Sequence, residues 1–148
     1  MMDNKVEEQS AERKLKILIT DDSKMLRRKL RADLEGLGCE VVESTNGKDA
    51  VMMFLKDEFD GVILDIVMPE VGGIEALQLM KEVKPDIPIV MLSSSGTPQK
   101  LMQTLKMGAL DFIQKPYMRD QIVKVIDAVK REKIKRDQKK SDEEAAKK

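Results

Sequence analysis

Short apolar runs alternate with longer amphipathic segments five times along this chain, and that alternation limits the folds open to it. The runs are Lys16–Thr20, Glu40–Glu43, Gly61–Asp65, Pro88–Leu92 and Leu110–Gln114. Each is followed by apolar residues at helical spacing. The sets are Leu26, Leu30 and Leu34, then Ala50, Val51, Phe54 and Leu55, then Ile74, Leu77, Met80 and Val83. Leu101, Met102 and Leu105 come next, and Ile122, Val125, Ile126 and Val129 are last. Such βα repetition predicts a parallel sheet covered by helices on both faces. The central runs are almost continuous in Val, Ile, Leu and Met, as strands buried on both sides require. The punctuation agrees. Gly36 and Gly38 stop the first helix, and Asn46-Gly47 marks a turn. Gly72-Gly73 opens the third helix and Pro85 ends it. Thr97-Pro98 starts the fourth helix and Gly108 closes it.

Four of the five runs end in reactive side chains. They lead into Asp21-Asp22, Asp65, Ser93-Ser94-Ser95 and Lys115-Pro116. Right-handed crossovers put all strand C-terminal ends on one edge of the sheet, where open α/β folds bind their ligands. Each group has an ordinary explanation when taken alone. A lone Asp after an apolar run is usually a turn residue or a cap. Asp21-Asp22 could cap the first helix, as could Ser23, and the three serines could be plain loop.

Together they read as a site. Three carboxylates in one cleft repel and raise one another's pKa values. A divalent cation removes that conflict, and oxygen donors without His or thiolate favour Mg2+. Lys115 offers a compact cation for a phosphate oxygen, and Ser93 offers a hydroxyl donor. Catalysis of phosphoryl transfer is mainly such positioning and electrostatics. The nucleophile would be a carboxylate. Asp65 is the best candidate, as the lone acid closing the central strand.

Composition excludes other classes. Lys plus Arg equals Asp plus Glu at 27 each, so no net charge pulls the chain toward nucleic acid or acidic lipid. The single Cys39 excludes an internal disulfide framework and fits a reducing compartment. The absence of His removes His-based catalysis, most transition-metal sites and a phosphohistidine on this chain. No apolar stretch approaches the roughly 20 residues that span a bilayer, and residues 1–13 form a polar tail without a signal-peptide core. The expected setting is cytoplasmic, with no membrane insertion and no direct nucleic-acid contact. The Met-rich composition reads as core filling, and Cys39 as structural.

Asp21-Asp22, Asp65 in Leu64-Asp65-Ile66-Val67-Met68-Pro69, Gly72-Gly73, Ser93 and Lys115-Pro116 resemble the receiver domain of two-component response regulators. The resemblance covers residues 14–132. It implies a flavodoxin-like (βα)5 three-layer sandwich with a five-stranded parallel sheet in the order 2-1-3-4-5. It further implies that Asp65 accepts a phosphoryl group from the phosphohistidine of a sensor histidine kinase or histidine phosphotransfer protein. Asp22, Asp65 and the backbone carbonyl of Val67 would hold Mg2+, with Asp21 acting mainly through water. Ser93 and Lys115 would take the phosphoryl oxygens, and the Lys115–Pro116 bond would be cis. Ser93 and Phe112 would form the switch, and Phe112 lacks the hydroxyl that the family often carries there. Val67 cannot orient an attacking water through its side chain, which predicts slow loss of phosphate.

The function expected from this is a stand-alone, chemotaxis-like response regulator and not a true enzyme. Its downstream protein target would bind the face made by the fourth helix, fifth strand and fifth helix. The alternative is a phosphorelay intermediate that passes phosphate to a histidine phosphotransfer protein. The basic residues Lys24, Arg27, Arg28, Lys29 and Arg31 border the acids. They read as a solvated helix face or as a contact for an acidic phosphodonor. A haloacid-dehalogenase-type phosphatase would need an Asp where Val67 stands, and a nucleotide-binding flavodoxin relative would need a Gly-rich phosphate loop. Residues 133–148 are predicted to fray or be disordered, with little to bury.

Overall fold

The computed structural model describes residues 14–68, 71–94 and 98–147. The polar tail 1–13 and the Thr97 cap expected from the sequence lie outside them. Five strands form one parallel sheet: β1 (Lys16–Thr20), β2 (Glu40–Ser44), β3 (Gly61–Asp65), β4 (Ile89–Ser93) and β5 (Asp111–Gln114). Their order is β2-β1-β3-β4-β5, as the resemblance implied. The helices are α1 (Lys24–Gly36), α2 (Gly47–Lys56), α3 (Gly73–Val83), α4 (Pro98–Lys106) and α5 (Arg119–Ala146).

Alternation along the strands divides the core into two layers. Ile17, Ile19, Ile63, Val90 and Leu92 face α1 and α5, where Leu30, Leu34, Ile122, Val125, Ile126 and Val129 meet them. Leu18, Val62, Leu64, Ile89 and Met91 face the other way. They pack on Ala50, Phe54, Ala76, Leu77, Met80 and Leu101 of α2, α3 and α4. Met68, Met80 and Met91 are buried in the core and Met53 and Met107 pack against it, whereas Met25, Met52, Met102 and Met118 are exposed. The core-filling expectation therefore holds for part of the methionines. Cys39 is buried and free.

Local chemistry sets the boundaries. The Ser23 hydroxyl caps α1 by accepting from the Leu26 amide at 3.3 Å. Asn46 turns out to be the α2 cap, accepting from the Asp49 amide at 2.8 Å. Gly38 and Gly108 follow helix ends with φ of +84° and +103°, a region that glycine enters at little cost.

The C-terminal segment differs from the expectation. α5 runs for 28 residues to Ala146, although its last buried residue is Val129. Burial was the wrong criterion there. Lys, Arg, Glu, Gln and Ala are strong helix formers. Gln138 also donates to Asp142, four residues on, at 3.0 Å. Two contacts tie the extension to the body. Lys133 Nζ lies 3.1 Å from Asp60 Oδ1, and Arg136 Nη2 donates to the Asp60 carbonyl at 3.2 Å. Among the described residues, no helix is long and apolar enough to cross a membrane.

Candidate functional site

The strand order turns back at β1, which pairs with both β2 and β3, and this opens a crevice at their C-terminal ends. Thr20 sits opposite Leu64, so Asp21 and Asp65 leave the sheet level with each other. Asp65 pairs with Leu92 and Ser93 with Gln114, so Ser93 and Lys115 follow on the same edge. Carboxylate oxygens of Asp21, Asp22 and Asp65 lie within 4.8 Å of one another. Asp21 and Asp65 are buried and Asp22 is exposed.

Ser23, not the acids, supplies the side-chain cap of α1, which leaves the carboxylates for other partners. Asp21 Oδ1 accepts from the Ser23 amide at 2.7 Å, and the Asp21 carbonyl accepts from Arg27 Nη1 at 2.6 Å. Asp65 Oδ1 accepts from the Val67 amide at 3.3 Å. The remaining oxygens meet at Lys115, whose Nζ lies 3.0 Å from Asp65 Oδ2 and 2.5 Å from Asp21 Oδ2. The Lys115–Pro116 peptide is cis.

The electrostatics follow from crowding. Burial pushes the Asp65 pKa up, and neighbouring Asp21 pushes the same way. The hydrogen bond from Lys115 only partly offsets this. For Lys115, burial disfavours the charge, but hydrogen bonds to Asp21 and Asp65 outweigh it and raise the pKa. Three acids face one ammonium here. The donor set is all oxygen, so it fits a hard divalent cation such as Mg2+.

Ser93 is buried at the end of β4. Phe112 is half-buried on β5 and packs against the α2–α4 layer. Val67 is exposed. The basic stretch of α1 is largely committed within the chain. Arg27 and Arg31 both pair with Glu43, Arg31 also pairs with Glu35, and Lys29 reaches the Tyr117 carbonyl. Lys24 and Arg28 are exposed and make no ion pair among the described residues.

The sequence did not single out Tyr117, Asp33 or Gly73's contact with Asp65. The Tyr117 hydroxyl donates to Asp33 Oδ2 at 2.9 Å. A signal existed: Tyr117 follows Lys115-Pro116 directly, and Lys29 and Asp33 share one helix face at i, i+4.

The family model described as the response regulator receiver domain matches residues 17–127. A chemotaxis protein CheY of Thermotoga maritima is 34% identical over 115 residues, which cover 77% of this chain and 96% of that protein. A chemotaxis protein CheY of Bacillus subtilis is 37% identical over 112 residues, covering 75% and 93%. Among solved structures, the Vibrio cholerae chemotaxis protein CheY4 superposes with a TM-score of 0.73 at 28% identity. That match covers 78% of this chain and 98% of the other.

Proposed function

The chain belongs to the response regulator receiver family, and from that premise we propose that Asp65 is the phosphoacceptor of a signalling switch. The observation carrying this is the meeting of Asp21, Asp22, Asp65 and Lys115 at the sheet edge, beside Ser93. The donor is a phosphohistidine on a sensor histidine kinase or a histidine phosphotransfer protein. One Asp65 carboxylate oxygen attacks phosphorus, and the bond from phosphorus to the donor imidazole nitrogen breaks. The imidazole leaves with the bonding pair and takes a proton from solvent.

Lys115 is already 3.0 Å from the acceptor carboxylate. It passes from the two acids to a phosphoryl oxygen as charge arrives there. Ser93 donates its hydroxyl to another oxygen, and the ring of Phe112 follows its movement. Asp22, Asp65 and the Val67 carbonyl would hold Mg2+, with Asp21 behind them. Bound there, Mg2+ offsets the negative charge that the acids and the phosphoryl group share. Val67 brings no polar group to the entering water, which goes with a long-lived phosphoryl group.

The phosphorylated form signals by binding a protein target through α4, β5 and α5, a reading supported by the match to chemotaxis proteins over nearly their whole length. A cytoplasmic setting goes with this role. Exposed Lys24, Met25 and Arg28 at the head of α1 favour a second reading, a relay that hands phosphate to an acidic phosphotransfer protein.

Acetyl phosphate with Mg2+, followed by intact-mass spectrometry, tests the acceptor. One phosphoryl adduct is expected on the native chain and none on Asp65→Asn. An adduct that survives Asp65→Asn overturns the assignment. Capture by a flagellar switch protein supports the first reading, and phosphate transfer to a phosphotransfer histidine supports the second.

A further inference from the structure

We propose that Tyr117 is a positioning residue that keeps Lys115 over the acids, an inference that rests on the phosphoacceptor reading. The topology creates the need. Lys115 follows β5, while Asp21 follows β1, and β3 and β4 lie between those strands. The ammonium must cross the sheet edge to reach both Asp65 and Asp21. No strand pairing joins β5 to β1.

Tyr117 makes the missing connection to α1, the helix that follows Asp21-Asp22. The side chain is 3% exposed, and its hydroxyl donates to Asp33 Oδ2 at 2.9 Å. Lys29 Nζ sits 4.4 Å from the ring centroid and donates to the Tyr117 carbonyl at 3.3 Å. On the other side of Lys115, its own amide donates to the Ser93 carbonyl at 2.7 Å. The lysine backbone is therefore held at β4 and again at α1. Only Pro116, with its fixed φ, intervenes before Tyr117. A lysine stem is long and flexible. Two fixed points on either side of its Cα narrow where the ammonium can go.

The experiment follows the rate of Mg2+-dependent phosphorylation of the full chain by acetyl phosphate. Tyr117→Phe keeps the ring and removes only the hydroxyl. It should slow phosphorylation by about tenfold, the scale expected when a reacting group is slightly misplaced. Asp33→Ala should match it, and Asp33→Asn, which keeps an acceptor oxygen, should restore most of the rate. In a Lys115→Ala background, Tyr117→Phe should change the rate by less than about twofold, because its route to the site is gone. The same tenfold effect in both backgrounds, or a native rate in Tyr117→Phe, overturns the proposal.

NMR of the metal-free chain labelled with 15N-lysine reads the same device without any phosphoryl chemistry. The Lys115 ammonium should give a protected signal in the native chain and in Asp33→Asn. In Tyr117→Phe it should exchange-broaden, and an unchanged signal there also overturns the proposal. Failure of the native chain to become phosphorylated counts against the phosphoacceptor reading instead, and the ammonium signal still decides the latch.

Discussion

Gly73 and Asp65 meet backbone to backbone: a Cβ on Gly73 would lie 2.0 Å from the Asp65 carbonyl oxygen and 2.8 Å from its carbonyl carbon. The start of α3 is thereby seated directly on the residue that carries the site. The Gly73 amide also donates to the Ile66 carbonyl at 3.0 Å. Gly73→Ala must push β3 and α3 apart. Chemical denaturation should show a loss of about 2–4 kcal/mol. The surviving folded fraction should bind Mg2+ more weakly, read by the magnesium dependence of its Tm.

Asp65→Asn should stabilise the metal-free chain while abolishing phosphorylation. It removes one of the two acids that share Lys115 and leaves a neutral pair with Asp21. The gain should be about 1 kcal/mol at neutral pH by urea denaturation. The sign with pH is fixed by the raised Asp65 pKa. The fold prefers the protonated acid, so the ionised form is the penalised one. The advantage of Asn should shrink as pH falls through the folded pKa of Asp65.

Mg2+ should raise the Tm of the native chain, and a chelator should reverse the change. At about 100 times its Kd, a ligand of the folded state contributes about 2.7 kcal/mol. Asp22→Asn should weaken the response most simply, because Asp22 is exposed and its loss leaves the buried Lys115 pairs intact. A full magnesium response in that variant would show that Asp22 is not a ligand.

Tyr117 should titrate late. Burial raises its pKa, and the hydrogen bond to Asp33 adds to the effect. The folded value lies above the unfolded value of about 10. The stabilisation is therefore complete below about pH 10 and is lost as pH rises toward the folded pKa. Tyr117 is the chain's single Tyr and there is no Trp, so phenolate absorbance reports it alone. The native chain should ionise at higher pH than the chain in urea. In Tyr117→Phe, stability should fall less steeply with alkaline pH.

Truncation after Gln138 should leave the receiver body intact. Burial ends at Val129, and the tethers to Asp60 come from Lys133 and Arg136. A Tm change of a degree or two is expected, equivalent to about 0.5 kcal/mol. Lys133→Ala combined with Arg136→Ala should instead increase backbone amide exchange from residue 130 onward.

The parallel sheet was legible because Val, Ile and Leu in the central runs leave no solvent face. The grouping of the candidate residues was legible because Asp65 and Ser93 end their strands, Asp21 and Lys115 directly follow theirs, and parallel topology aligns strand ends. Contacts between distant elements were not. Nothing local in Tyr117 names Asp33 as its partner, and Glu43 gives no sign that it will receive both Arg27 and Arg31. The extension of α5 carries no apolar spacing beyond Val129, so periodicity does not reveal it. Its residues are strong helix formers, and the residue that tethers it, Asp60, is far away in sequence.

That extension has a practical use. Ten residues of helix follow Arg136, the last of them Ala146, a reach of about 15 Å at the rise of an α-helix. They start from Asp60, which precedes β3, while Asp65 closes it. A dye or affinity handle fixed near Ala146 would stand on a stalk rooted at the opposite rim from the acids. It could report tumbling or capture the protein on a surface while the phosphoryl chemistry stays uncovered.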